Sequence, residues 1–401
     1  MLIAIALVGA LGAPAVAQPR AYAEGELATG PQEAQPPFVD LYTFEVGPVI
    51  FEKFGHATLC LRYHDEVAHP TVCFNYGVTN FYDAESLLWG FLHASQRFWV
   101  EPISLDELVG FYGDPQYGGE DRTIWKQTLP LDAAQARAIE AKLWSDLAPE
   151  NRTYVYDHFF DNCSTRLRDI VDRAVGGALA KDSDGPYPLT FRAIMRRGLA
   201  EEAPLLALSD FVVGRTLDRA PTIWEAMFLP DVLREQVALR LGAPAEAIWR
   251  RQGEPFPTDG PSGRGWALLL ALACCLPLLV AVIVGRGQRL AVVFAALPLT
   301  LLGLVIWGLA IVSAIPGLCV NEAVFLFVPF DLLLIVLGAS RRRAYAELRA
   351  GMVAWVAILW AFGLFKQPLA VPIVCAFVPH ALIAWIAPML DAMRANRRLA
   401  R

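Results

Sequence analysis

The sequence predicts an exported α+β domain followed by a bundle of about five transmembrane helices. Three observations carry that prediction. Charge divides along the chain: residues 1–264 hold 23 Lys+Arg against 36 Asp+Glu, and residues 265–401 hold 11 against 4. Hydropathy divides at the same place, since 55% of the 401 residues are hydrophobic and the excess lies in the second part. Within the first part, short β-type runs interleave with segments of helical period. An acidic domain lacks the basic surface that nucleic acid requires, so no nucleic-acid partner is expected.

The elements follow in chain order. Residues 1–17 are an apolar run ending Ala15-Val16-Ala17, the pattern of a signal peptide, although no Lys or Arg precedes the apolar core. Residues 18–36, rich in Pro, Gln and Glu, read as a flexible leader. The folded domain is expected over 37–255. Two strands cross 38–63 around Gly47-Pro48 and Gly55, another covers 72–77, and another lies near 98–103. Ser104 and Glu107 form a capping box that opens a short helix. A strand covers 122–129, and Asp132 with Gln135 opens a helix to about Leu147. A helix begins near Cys163, where Leu167, Ile170, Val171, Ala174 and Val175 share one face and Gly176-Gly177 supplies the stop. Residues 182–222 read as irregular, and 222–241 as helical with an interruption at Pro230.

Residues 256–264 are a linker by composition. Candidate spans are 265–285, 290–312, 324–340, 351–365 and 369–390, with a cytoplasmic basic tail at 391–401. With five spans, the arginines at 286–289, 341–343 and in the tail all fall on one side. The positive-inside rule then puts residues 18–264 outside the cytoplasm, as the signal segment requires.

The chemistry centres on Asp161-Asn-Cys-Ser-Thr-Arg-Leu-Arg-Asp169. A thiol in the first turn of a helix feels the partial positive charge of the N-terminus, which favours the nucleophilic thiolate. An inert buried thiol fits the same residues. Of six histidines, His56 in Phe-Gly-His-Ala-Thr-Leu opens a strand and is the expected base; a satisfied structural histidine is the alternative. His158, five residues before Cys163, would either approach the thiol or pack. Asn75 in Cys-Phe-Asn-Tyr-Gly is the candidate orienter of the base, with Tyr76 behind it. Backbone amides at the helix start, Asn162, Tyr76 and His158 are the oxyanion and substrate candidates, and Arg166 is a candidate for a phospholipid headgroup. Cys60 and Cys73 flank a possible hairpin and would be bridged if their geometry allows. No zinc spacing and no phosphate loop occurs, so no metal or cofactor is expected.

Phe54-Gly-His-Ala-Thr-Leu, Phe74-Asn-Tyr-Gly, the Asp161–Asp169 run and Glu225-Ala-Met-Phe-Leu-Pro-Asp231 together resemble the Lnb N-terminal periplasmic domain, in the family's order. The His-before-Cys order is also similar to circularly permuted papain-like folds, such as lecithin:retinol acyltransferase and permuted NlpC-type proteins. The resemblance implies a permuted papain-like domain on the periplasmic face of the inner membrane, with Cys163 as nucleophile and His56 as base. It implies a lipoprotein N-acyltransferase that takes an acyl chain from a phospholipid and gives it to a lipoprotein N-terminus. A cysteine amidase or peptidase acting on peptidoglycan or peptide, and a non-enzymatic membrane scaffold, are the alternatives.

Overall fold

The computed structural model describes residues 31, 33–47, 52–81, 83–257 and 263–399. The expected signal peptide, and the leader up to residue 30, lie outside the described residues. Two compact units result: residues 1–189 with 220–257, and residues 190–219 with 258–401.

The first unit is built on one seven-stranded sheet. Its strands are β1 (Phe38–Phe44), β2 (His56–Arg62), β3 (Val72–Val78), β4 (Arg97–Ser104), β5 (Ile124–Thr128), β6 (Thr153–Val155) and β7 (Glu246–Trp249). Their order is β6-β4-β3-β2-β1-β5-β7, and each pair of neighbours runs antiparallel. The helices are α1 (Ala84–Leu92), α2 (Leu105–Tyr112), α3 (Ala133–Asp146) and α4 (Cys163–Ala174), followed by the short Ile223–Ala226 and by Pro230–Leu241.

Alternation along the strands sends side chains to two covered faces. On one face Tyr42, Phe44, Cys60, Cys73 and Ile103 pack with Leu108 and Tyr112 of α2. On the other, α3 packs Trp144 edge-on against Phe74 at 5.3 Å and accepts the Tyr76 hydroxyl on Asp146 at 2.7 Å. Both helices start on side-chain caps, Ser104 with Glu107 and Asp132 with Gln135. Cys60 and Cys73 are directly opposite in the β2–β3 ladder and form a disulfide.

Several elements among the described residues escaped the sequence. α1 is nine residues long and β6 and β7 are three and four, too short for periodicity to register. Residues 182–222, expected to be irregular, contain helices α5 (Phe191–Gly198) and α6 (Ala203–Val212). In α5 the buried Phe191 and Ile194 sit one turn apart among arginines. That stripe is real but narrow, and the surrounding Pro and Arg obscure it.

The second unit holds α5 and α6 together with the apolar helices α7 (Gly263–Val284), α8 (Gln288–Val312), α9 (Ala339–Ala361) and α10 (Ala370–Ala381). The last continues through a π-helical turn at Leu382–Ile386 into Ala387–Leu399. Among the described residues, four helices are long and apolar enough to cross a membrane, or five if the bent pair Pro316–Phe325 and Pro329–Val336, at 46°, counts as one span. The expected span 324–340 is thus a broken segment. The expected span 351–365 is the later part of a helix that already starts at Ala339, so the Arg341–Arg343 run lies in its first turns.

Buried polar groups hold the broken segment in place. Glu322 accepts the amides of Lys366 and Gln367 at 2.9 and 2.8 Å, and Asn321 donates to the carbonyl of Phe211 at 2.8 Å. Asp331 accepts from Arg349 Nε at 2.9 Å and from the Tyr345 hydroxyl at 3.0 Å, and lies 3.2 Å from His380 Nε2. Gly303 allows α8 to approach: a Cβ there would meet the backbone carbon of Val328 at 2.6 Å.

Candidate active site

The site starts from a cap. Asn162 Oδ1 accepts the Thr165 amide at 2.9 Å, and the Asn162 amide donates to Thr165 Oγ1 at 2.8 Å. This reciprocal pair fixes Cys163 as the first residue of α4. Helix geometry leaves the amides of Cys163 and Ser164 without intrahelical acceptors. Asn162 Nδ2 is also used, donating to the carbonyls of His158 and Phe228 at 3.0 Å each.

His56 is the first residue of β2. Gly55 before it has φ +84°, and a Cβ there would lie 2.8 Å from the carbonyl oxygen of Phe44, so the chain enters the strand only through glycine. The His56 ring lies against the paired Phe44 and Tyr112 rings, with centroids 5.9 and 5.7 Å away. Its Nε2 is 2.7 Å from Asn75 Oδ1. An amide oxygen only accepts, so Nε2 carries a hydrogen and Nδ1 is left for the thiol. The His56 imidazole faces the Cys163 thiol closely enough for each to shift the other's protonation. The register explains the meeting: Cys60 opposes Cys73, so His56 and Asn75 project from the same face of neighbouring strands.

Electrostatics favour an ion pair. Burial pushes the Cys163 thiol up, but the facing His56, its hydrogen bond, the Ala57 amide and the Ser164 hydroxyl together bring it below the usual thiol range. Burial pulls His56 down, and Arg122 adds to that, but Cys163 and the Asn75 hydrogen bond outweigh both and leave it raised. The two shifts agree in direction: thiolate facing imidazolium.

Beyond this pair lies a buried Arg122, which bonds the Glu45 carbonyl through Nε at 2.6 Å and pairs with Glu52 and Glu120 at 3.3 and 3.1 Å. Burial and the neighbouring Glu52 push the Glu120 carboxyl up to about 7, against the pull of Arg122.

The remaining sequence candidates are committed elsewhere. His158 is half-buried among Phe54, Phe159 and Phe228, with Nδ1 3.1 Å from the Tyr156 hydroxyl. Burial pushes it down to about 4, so it is neutral at physiological pH. Arg166 makes a bidentate pair with Asp161 at 2.6 and 2.9 Å and covers the Tyr154 ring at 3.6 Å. Tyr76 points to α3, and the side chain of Asn162 caps α4. None of the four is directed at the thiol by these contacts. Among the described residues, no group of His, Cys, Asp and Glu is arranged to hold a metal ion.

Sequence reasoning missed three contributors. The Ala57 amide and the Ser164 hydroxyl act on the sulfur. Gly77, at φ +102° beside an irregularity in the β3–β4 pairing, would bring a Cβ within 4.0 Å of both Cys163 Cβ and His56 Cε1. A glycine beside the motif histidine's partner strand is the only sequence trace of this last feature.

The family model of the Lnb N-terminal periplasmic domain matches residues 38–197. Those residues form an Lnb domain. The match contains Cys163, His56 and Asn75, and together with the apolar helices it fits a multi-pass membrane protein with a periplasmic domain. It ends well before the 255 expected from sequence, although Phe228 and β7, beyond its end, complete the Asn162 cap and the sheet edge. No curated protein and no solved structure matches the chain significantly.

Proposed function

We propose that this Lnb protein is a thiol acyltransferase that moves a fatty acyl chain from a phospholipid to the N-terminal amine of a lipoprotein. The observation that carries the reading is the Cys163–His56–Asn75 line, with the thiol at a helix start and the imidazole at a strand start. The same arrangement supports a papain-like reading of the domain. Cys163 Sγ attacks an ester carbonyl carbon of the phospholipid, forming a C–S bond. The amides of Cys163 and Ser164 are the donors positioned for the oxyanion. The C–O bond then breaks, the alkoxide takes the proton from His56 Nδ1, and lysophospholipid leaves. In the second half the lipoprotein amine attacks the thioester carbonyl. The new C–N bond forms, the amine's proton passes to His56, and the C–S bond breaks to return the thiolate.

Donor and acceptor are both anchored in a bilayer, and so is the enzyme, so positioning replaces part of the search. On this reading the membrane is the inner membrane, with the domain in the periplasm and the basic tail in the cytoplasm.

The test is to incubate the detergent-purified chain with phospholipid and take the mass of the peptide bearing Cys163. A hydroxylamine-labile acyl adduct that disappears in Cys163→Ala is expected. Turnover of a peptide or muropeptide with no such adduct would replace the reading by an amidase one.

A further inference from the structure

Helix α1 is out of place on a soluble surface. From Leu87 onward its residues, Leu-Leu-Trp-Gly-Phe-Leu, are apolar or glycine on every side. Asp83 caps its start and Leu87 anchors it in the core. Yet Trp89 is 62% exposed, and Phe91 and the preceding Phe81 are 37% and 42% exposed. Apolar side chains clustered in this way mark a surface that is covered in use.

A second connection repeats the pattern, with Val155 and Phe160 also exposed. The two connections are bonded together. The Tyr156 amide donates to the Gln96 carbonyl at 2.8 Å, and Gln96 Nε2 donates to Thr79 Oγ1 at 3.1 Å. The Phe98 ring bridges them, 6.4 Å from Phe81 and 4.3 Å from Tyr156. One connection leaves β3 just after Gly77, the glycine beside the thiol. The other runs into Asn162 and Cys163. The apolar surface is therefore a rim around the site.

We infer that this rim, led by Trp89 and Phe91, docks into the interfacial zone of the lipid bilayer. The occupant follows from the chain. From Pro257 to Gly263 there are six residue steps, at most ~20 Å of chain. The chain also passes between the two units directly at 189/190 and again at 219/220. Three short connections thus tether the domain to helices built to cross a membrane. A tethered surface needs little intrinsic affinity to stay docked. Tryptophan is the side chain that favours the headgroup region. α1 has Glu85 in its first turn and no basic residue in its last, so the docking is apolar and does not depend on anionic lipid.

The test places the photoreactive p-benzoylphenylalanine at position 89 of the full chain in nanodiscs of phosphatidylethanolamine and phosphatidylglycerol. The control places it at Leu239, which is 75% exposed on Pro230–Leu241. Irradiation should attach phospholipid to the peptide bearing residue 89 at least tenfold more than to that bearing 239. The same result in a Cys163→Ala background separates docking from the acyl-transfer reading. Equal labelling at both positions, no lipid at 89, or crosslinks from 89 to another protein segment would overturn the inference. Should the substituted chain fail to fold, amide exchange of the unsubstituted chain decides. The amides of residues 88–92 should exchange several-fold more slowly in nanodiscs than in amphipol, and equal rates would sink the idea.

Discussion

Cys163 with His56 in the sheet domain, and Asp331 with Arg349 in the helical unit, are both close pairs of opposite charge, but the first is half-buried and the second fully buried, and their surroundings differ. Asp331 is enclosed by donors: Arg349 Nε, the Tyr345 hydroxyl and His380 Nε2 all lie within hydrogen-bond reach. Arg349 in turn donates to the Leu326 carbonyl at 2.6 Å. Cys163 and His56 are partly open to solvent, and the helix start beside them leaves the amides of Cys163 and Ser164 without intrahelical acceptors. A fully buried charge pair holds structure, because removing either member strands the other. A pair with unused donors beside it has room for a developing charge. The difference assigns chemistry to the first pair and architecture to the second.

The largest effect that would break this comparison comes from the thiol. Cys163→Ala should abolish the acyl adduct altogether, and His56→Ala should slow its formation roughly 10²–10⁴-fold, the range of a general acid–base partner. Rates of adduct appearance by mass spectrometry decide it. If Asp331→Ala, in protein that is demonstrably folded, were as damaging as Cys163→Ala, the architectural reading of the helical pair would fail.

Asp331→Ala should instead cost stability, about 3–5 kcal/mol, because Arg349 would remain buried and unpaired. Thermal unfolding in one detergent should register this as a large drop. Pairing the change with Arg349→Met should recover part of the loss, and a double variant no better than the single would contradict the cluster's role.

Asn75→Ala sharpens the comparison on the other side. Its 2.7 Å bond to His56 Nε2 orients the ring and stabilises the imidazolium. Hydrogen bonds to charged groups are worth about 1.5–3 kcal/mol, so adduct formation should slow roughly ten- to hundredfold. Unfolding temperature should move little. A variant that loses stability and keeps its rate would make Asn75 an ordinary strand residue.

Legibility in the sequence followed the length of the physical signal. α4 was readable because five apolar positions, a cap and a paired-glycine stop agree. β2 and β3 were readable from composition and glycine breaks, and with them the His56–Asn75 face. The Cys60–Cys73 bond needed the strand register, which no local pattern states. The broken segment at 316–336 reads in the sequence as a loop over 313–323 and one span over 324–340, because the latter residues are apolar; the buried Glu322 and Asp331 hold its bent form. Ala57 acts through its backbone amide, and a backbone group leaves no mark in a sequence. α1 is not legible because the six-residue run Leu87–Leu92 fits a strand, a buried turn or a surface helix equally well.

The smallest predicted effect concerns pH. Adduct formation needs Cys163 deprotonated and His56 protonated. The rate should therefore rise through the lowered thiol pKa and fall through the raised imidazole pKa, with the falling limb above the ordinary 6.5 of histidine. Ser164 lies beside the sulfur at 4.0 Å and favours the thiolate by a weak hydrogen bond. Ser164→Ala should raise the thiol pKa and shift the acid limb upward by less than about one unit, equivalent to less than about 1.4 kcal/mol. The alkaline limb, set by His56, should hold its place. Movement of both limbs together would mean that the pair titrates as one and that Ser164 acts on the pair, while no movement of either would remove Ser164 from the site.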